Sequence, residues 1–276
     1  MITEKQLNEI KILQDECEKY DEITLKLNWE MLRNRANNVK EDFFYYEQDQ
    51  LVGFLAIYSF GEKVEICGMV HPNFRRKGIF SGLLNEALNS ISTVNTTLLN
   101  APEASASAKE FIKHQKNCNY SFSEYQMVWK NKKVKEFTPI VNFTKAGQLD
   151  FPFISNLDVV CFGFEKSDAE KYNYRILNEP DRALFIIEVN DEKIGKMSLL
   201  RENKESWIYG FAILPEFQGK GYGKNALLQV IRKENEIGNE IHLEVALENS
   251  NAKKLYIDCG FSQYNTQDYY KIESSK

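Results

Sequence analysis

Apolar positions along this 276-residue chain fall into two long series that follow the same order. The first begins with FFYYEQDQLVGFLAIYSF (43–60) and the second with LFIIEVNDEKIGKMSLLR (184–201). Each reads as an apolar strand, a polar turn (Asp49-Gln50 or Asn190-Asp191) and a second strand holding one glycine, Gly53 or Gly195. Such a pattern predicts a β-hairpin. The next proline follows that glycine after 19 residues in the first series (Pro72) and 20 in the second (Pro215). An amphipathic helix comes next in both. Ile79, Phe80, Leu83, Leu84, Ala87, Leu88 and Ile91 recur at helical spacing in the first, and Ala226, Leu227, Val230 and Ile231 in the second. A strand, a short helix (ASAKEFIKHQ; SNAKKLYIDCGF) and an aromatic strand (FSEYQMVW; SQYNTQDYYK) then close each copy.

The pattern is that of one mixed α/β (α+β) domain written twice. Two domains of about 140 residues suit the length. The polar stretch KNKKVKEFTP (130–139) reads as the linker, which divides the chain into 1–136 and 137–276.

Composition narrows the classes. The chain is 43% hydrophobic and 27% charged with a net charge of −5, which suits a globular core and argues against nonspecific grip on nucleic acid. No apolar run approaches a membrane span, and charges interrupt the N-terminal MITEKQLNEIKILQDE, unlike a signal peptide. Thr3 and Gln6 there form a candidate capping box. Five scattered cysteines and three histidines lack metal-ligand spacing, so no metal site is expected and a reducing cytoplasm is the natural setting.

Between strand and helix each copy carries a loop, HPNFRRKGIFSGLLNE (71–86) or LPEFQGKGYGKNALLQ (214–229). Backbone N–H groups at a helix start are unpaired and carry partial positive charge. Glycines let that backbone approach an anion closely, and Lys220 and Lys224 add full charges, so the second loop suits a pyrophosphate. A Walker loop is excluded, because G-x-x-x-x-G-K-[ST] spacing is absent. Gly221, Gly223 and Ala226 do spell a dinucleotide fingerprint, but no further βαβ half follows to complete a Rossmann sheet. Gln218, Gly221 and Gly223 satisfy Q/R-x-x-G-x-G/A, the form of a coenzyme A pyrophosphate loop.

FAILPEFQGKGYGKNALLQ and LEVALENSNAKKLYIDCGF (243–261), the latter matching N-x-x-A-x-x-L-Y-x-x-x-G-F, together resemble the GCN5-related N-acetyltransferase (GNAT) superfamily. The resemblance implies two tandem GNAT-like domains, each a twisted, mostly antiparallel sheet that splays open beside a coenzyme arm. It implies acetyl-CoA as co-substrate and a primary amine or peptide N-terminus as acceptor, with no covalent enzyme intermediate. By position, Phe211, Ala212 and Ile213 would offer strand backbone to the pantetheine arm. Gln218, Gly219, Lys220, Gly221, Tyr222, Gly223 and Lys224 would hold the pyrophosphate, and Asn249 would touch the coenzyme arm. Tyr256 matches the tyrosine that protonates the departing thiolate. Glu244 falls five residues before Asn249, where ribosomal-protein N-terminal alanine acetyltransferases carry their base.

Glu205 and Tyr209 are fallback candidates for the base, and His242 and His71 read as structural. The first copy departs from the pattern. Phe80 stands for Gly223, Arg76 for Gly219, Ser105 for Asn249 and Ile112 for Tyr256, so catalysis falls to the second copy. Arg75, Arg76, Lys77 and Gly78 keep the means to bind an anion, a second coenzyme A among the options. The alternatives are a non-catalytic acyl-CoA sensor or interaction protein, and an aminoacyl transferase using charged tRNA, which the acidic charge disfavours. A monomer and a homodimer both fit.

Overall fold

In the computed structural model, the structure describes residues 2–35, 40–60, 63–91, 96–130, 133–179 and 182–273. Asn131 and Lys132 of the expected linker lie outside them. The chain forms two compact units, Met1–Ser123 with Asn265–Lys276, and Glu124–Tyr264.

The first unit opens with helix α1 (Glu4–Asp21), which begins at the expected capping box, where Thr3 and Gln6 satisfy each other's backbone N–H groups. A short helix α2 (Trp29–Arg33) precedes strands β1 (Asp42–Glu47), β2 (Gln50–Phe60) and β3 (Lys63–Val70). Helix α3 (Ile79–Ser90), strand β4 (Thr96–Pro102), helix α4 (Ala106–Lys113) and strand β5 (Cys118–Trp129) follow. In the second unit come β6 (Asn142–Lys145), α5 (Phe151–Phe162), α6 (Lys166–Leu177), β7 (Arg182–Val189), β8 (Glu192–Glu202) and β9 (Glu205–Ile213). Helix α7 (Tyr222–Ile237), β10 (Glu240–Ala246), α8 (Ser250–Cys259) and β11 (Ser262–Ile272) end the series.

Both expected hairpins form, with the first turn at Gln48-Asp49, one residue earlier than its polar residues suggest. Gln48-Asp49 and Asn190-Asp191 both have positive φ at the two central positions, the backbone that matches the right-handed twist of paired strands. In each unit the hairpin strands pair antiparallel and one junction is parallel, β3 with β4 and β9 with β10. The parallel ladders are short. β3 and β4 pair only over Lys63–Ile66 and Thr96–Leu99, and β9 and β10 only over Glu205–Ile208 and Glu240–Leu243. Beyond those points the strands part.

In each unit the strands are covered on both faces. In the first unit Ile10, Leu13 and Cys17 of α1 pack on one side of β2, and Leu83 and Leu84 of α3 on the other. In the second, Leu227 and Ile231 of α7 join Ile208, Leu243 and Tyr256, while Ile154 and Ile176 of α5 and α6 cover Leu184 and Ile186.

The sequence reading closes each copy with its own last strand, and the structure exchanges them. Residues 124–129 of β5 pair antiparallel with β10 of the second unit, and 267–272 of β11 pair with β4 of the first. At 12 and 11 residues these strands are long enough for each to contribute to both units. The stretch 133–139 is not a free linker either. Thr138 O accepts from Asn225 Nδ2 at 2.7 Å, and Arg232 lies 4.1 Å over the Phe137 ring, so the segment is strapped along α7.

Among the described residues no helix is long and apolar enough to cross a membrane. No group of three or more His, Cys, Asp or Glu side chains among them could hold a metal ion. All five cysteines are free, and burial pushes the Cys17, Cys118 and Cys259 thiols up to about 11.

Candidate active site

The parting of β9 and β10 is built into the backbone. Gly210 has φ +54, and the β8–β9 register shifts between Lys196 and Ser198, a bulge that turns the end of β9 away from β10. Leu214 N–H donates to Ile194 O, so Leu214 and, two residues back, Ala212 face β8. Phe211 and Ile213 turn their backbone groups the other way, toward the gap. Of the three strand residues singled out, Ala212 is therefore committed to its pairing with Lys196, and Ile213 O already accepts from Gln218 Nε2 at 2.7 Å.

After a short turn at Pro215–Phe217 the loop enters α7 through two left-handed glycines, Gly219 (φ +71) and Gly221 (φ +84). No atom lies within 4 Å of where a Cβ would stand on either, so space is open above them. No side chain caps the first turn of α7, and its first amides point into that space. Lys220 and Lys224 are exposed at the rim, Lys220 lying 5.2 Å over the Phe217 ring, and half-buried Tyr222 packs near the same ring. A Cβ placed on Gly223 would stand at ordinary contact distance from Ile213, Phe211 and Leu255. Together these residues form an open backbone cradle at the mouth of the gap.

Asn249 caps α8, its Oδ1 accepting from Ala252 N at 3.0 Å. Tyr256, about two turns further on, is 7% exposed and packs against Phe261, and burial pushes its phenol up to about 12. Glu244 is the first residue of β10 past the end of the β9 ladder. Its carboxylate accepts from Gln126 Nε2 at 2.9 Å. Sequence reasoning missed Gln126, since only the exchanged β5 brings it there, opposite Glu244 in register. The fallback residues lie on the same strands. Glu205 accepts from Trp207 Nε1 at 2.9 Å, and Tyr209 stacks on Trp207 under Arg182. His242 is buried against Trp207, and burial holds its pKa below the ordinary value despite Glu205 and Glu240 nearby.

The first unit repeats this geometry with different side chains. Arg75 Nε donates to Val70 O at 2.9 Å as Gln218 does to Ile213 O, and Arg76 (φ +65) and Gly78 (φ +81) repeat the two left-handed glycines. Ser105 caps α4 through Ala108 N at 3.2 Å, which fixes its match to Asn249 and that of Ile112 to Tyr256. The Arg75 guanidinium is held bidentate by Asp21 at 2.7 and 2.9 Å, so it is not free for an anion. A cavity of about 620 Å³, lined by Met69, Phe74, Phe80, Asn100 and Ile112 among others, occupies the parting of β3 and β4.

The model of the acetyltransferase (GNAT) family matches residues 7–104 and 151–261. The chain belongs to the GNAT family. It is a tandem member and, by that membership, an N-acetyltransferase-type acyltransferase. Both matched spans of this GNAT chain stop before the exchanged strands β5 and β11. It is 30% identical over 126 residues to the spermidine N(1)-acetyltransferase of Vibrio cholerae serotype O1 (strain ATCC 39315 / El Tor Inaba N16961), spanning 41% of this chain and 73% of that protein. It is 30% identical over 95 residues to the uncharacterized N-acetyltransferase YycN of Bacillus subtilis (strain 168), spanning 32% of this chain and 61% of the relative. Among solved structures, a GCN5-related N-acetyltransferase from Sphaerobacter thermophilus has a TM-score of 0.75 at 15% identity, covering 95% of this chain and 91% of the other. A tandem GNAT protein from the clavulanic acid biosynthesis pathway has a TM-score of 0.69 at 14% identity, with 99% and 96% covered. These two share its fold.

Proposed function

We propose that the second unit transfers an acetyl group from acetyl-CoA to a primary amine, with Glu244 as base and Tyr256 as acid. The observation that carries this reading is the gap itself. The β9–β10 ladder stops at Ile208–Leu243, leaving the outward backbone of Phe211 and the N–H of Ile213 facing the gap, and an uncapped helix start with two open glycines stands at its mouth. Free strand amides suit a pantetheine arm, and the cradle with Lys220 and Lys224 suits a pyrophosphate, so the residues present fit acetyl-CoA. Bound there, it would supply an activated acetyl thioester. A relative named for spermidine supports a small-molecule amine as acceptor. Five free cysteines favour a reducing cytoplasm.

The acceptor arrives as an ammonium of pKa roughly 10, which cannot attack until it loses a proton. Glu244 takes that proton directly or through water, and Gln126 keeps the carboxylate oriented. The amine nitrogen then bonds to the acetyl carbon as the carbon–sulfur bond breaks, and Tyr256 offers its O–H to the departing sulfur. Holding both substrates in one gap provides much of the acceleration.

The test is release of CoA thiol on mixing acetyl-CoA with a panel of primary amines. Glu244→Gln is expected to lower kcat/KM by about ten- to a hundredfold, less than full loss because water can relay the proton. Tight acetyl-CoA binding with no thiol release from any amine would replace this reading with that of an acyl-CoA sensor. Gly221→Ala places a methyl group at φ +84, at a cost of about 1–2 kcal/mol. By calorimetry its acetyl-CoA affinity is expected to fall about tenfold with the fold unchanged.

A further inference from the structure

Leading away from Glu244, one face of the second unit carries groups that neither the loop nor Tyr256 uses. Across β9 and β10 the register sets His242 beside Trp207 and Glu240 beside Glu205. The His242 and Trp207 rings stack at 4.7 Å and 18°, so both rows share that face. Tyr264 closes edge-on against His242 at 5.8 Å. From the reacting end the order is therefore one carboxylate, an aromatic step, then two carboxylates side by side.

Acidic residues on a strand face are common. His242 makes this set different. It is 7% exposed, and neither ring nitrogen has a hydrogen-bond partner among the described residues. Glu240 Oε2 stands 3.7 Å from its Nε2, too far for a hydrogen bond. A neutral imidazole here, stacked on an indole, holds an unused acceptor nitrogen between carboxylates. An alkylammonium satisfies the carboxylates and that nitrogen at once. An ammonium already occupies one end of this set, because Lys130 Nζ sits 3.2 Å from Glu240 Oε2 in a half-exposed pair that a ligand could displace at small cost.

We propose that Glu205, Glu240, His242 and Trp207 form a trough that binds the distal ammonium of an elongated diamine or polyamine whose near nitrogen is presented at Glu244. The proposal rests on the acetyl-transfer reading of the site. Glu240 and Glu244 are separated by four strand residues, about 13 Å at roughly 3.3 Å each. An extended alkyl chain covers about 1.2 Å per bond, so two nitrogens about nine to twelve bonds apart reach both ends. The chain between them lies over Trp207.

Two measurements on the full chain separate the possibilities. Calorimetric titration and thiol release are run with linear α,ω-diaminoalkanes and with 1-aminoalkanes of matched length. Long diamines are expected to bind at least about tenfold more tightly than the monoamines, and Glu205→Gln and Glu240→Gln each to cut that preference about tenfold. Lys130→Met, which uncovers Glu240, is expected to raise diamine affinity. Circular dichroism checks that the near-isosteric variants fold. Diamine binding without thiol release keeps the trough and removes the transfer reading. Equal KM for diamines and monoamines, with no response to either glutamine variant, overturns the trough and leaves transfer intact. Absence of both binding and turnover overturns both.

Discussion

Tyr256→Phe is expected to lower kcat by about 10²–10³-fold, within the range for loss of a positioned acid. Acetyl-CoA affinity should change little. The substitution removes one hydroxyl and keeps the ring, which is 7% exposed and packed near Phe261, so the fold of α8 is retained. The direction of the pKa shift says what kind of acid is lost. With its phenol pushed up to about 12 by burial, Tyr256 holds its proton throughout the neutral range. A free thiol titrates near 8.5, so complete transfer from such a phenol to the thiolate would be uphill by about 5 kcal/mol. Tyr256 therefore acts by donating a hydrogen bond as the carbon–sulfur bond lengthens, while the net proton comes from the amine. The pH–rate profile should accordingly show no falling limb assignable to Tyr256 below about pH 11. A limb near pH 9 that vanishes in Tyr256→Phe would contradict this account, and an unchanged kcat would make Tyr256 a core residue alone.

The parts of the site that could be read in advance are those fixed by local chemistry. Glycine at 219 and 221, where φ is positive, and an asparagine that caps a helix, are demands of a few neighbouring residues on one another. The same holds for the first unit, where Ser105 caps α4 in the place of Asn249. Partner choice between distant strands is different. β5 and β11 are both long aromatic strands, and nothing within either states which sheet edge it joins. Gln126 reaches Glu244 across 118 residues only through that choice. A third feature did leave a signal that went unread. Lys196 lies mid-strand with buried neighbours on both sides, and Asp158 stands in an almost wholly apolar helix, FPFISNLDVVCF. A charge at such a position is buried and needs a partner.

Breaking that pair is expected to have the largest effect on stability. Asp158→Ala should destabilise the second unit by about 3–5 kcal/mol, as breaking buried ion pairs does. Lys196 and Asp158 are each 1% exposed, and Nζ lies 2.6 Å from the carboxylate. Asn173 of α6 completes the set, donating to Asp158 Oδ2 at 2.5 Å and offering its Oδ1 to Lys196 at 3.2 Å. Without Asp158 the ammonium keeps only that amide oxygen. Burial already holds the Lys196 pKa below that of a free lysine, and losing the carboxylate lowers it further. A lysine whose folded pKa lies below its unfolded value binds fewer protons folded than unfolded between the two, so stability rises with pH across that window. The deficit of Asp158→Ala should therefore shrink as pH is raised from 7 toward about 10, the unfolded lysine value. Asp158→Leu combined with Lys196→Met should recover most of the loss, since an apolar pair avoids the desolvation cost. The position couples stability to the site. Lys196 pairs with Ala212 at the bulge, and its Cε stands 3.9 Å from where a Cβ on Gly210 would be, so Asp158→Ala should also weaken acetyl-CoA binding. Urea unfolding across pH measures the first effect and calorimetry the second. A loss below about 1 kcal/mol, or one that grows with pH, would mean that Lys196 finds solvent once Asp158 is gone, and that the pair does not fix the opening of β9.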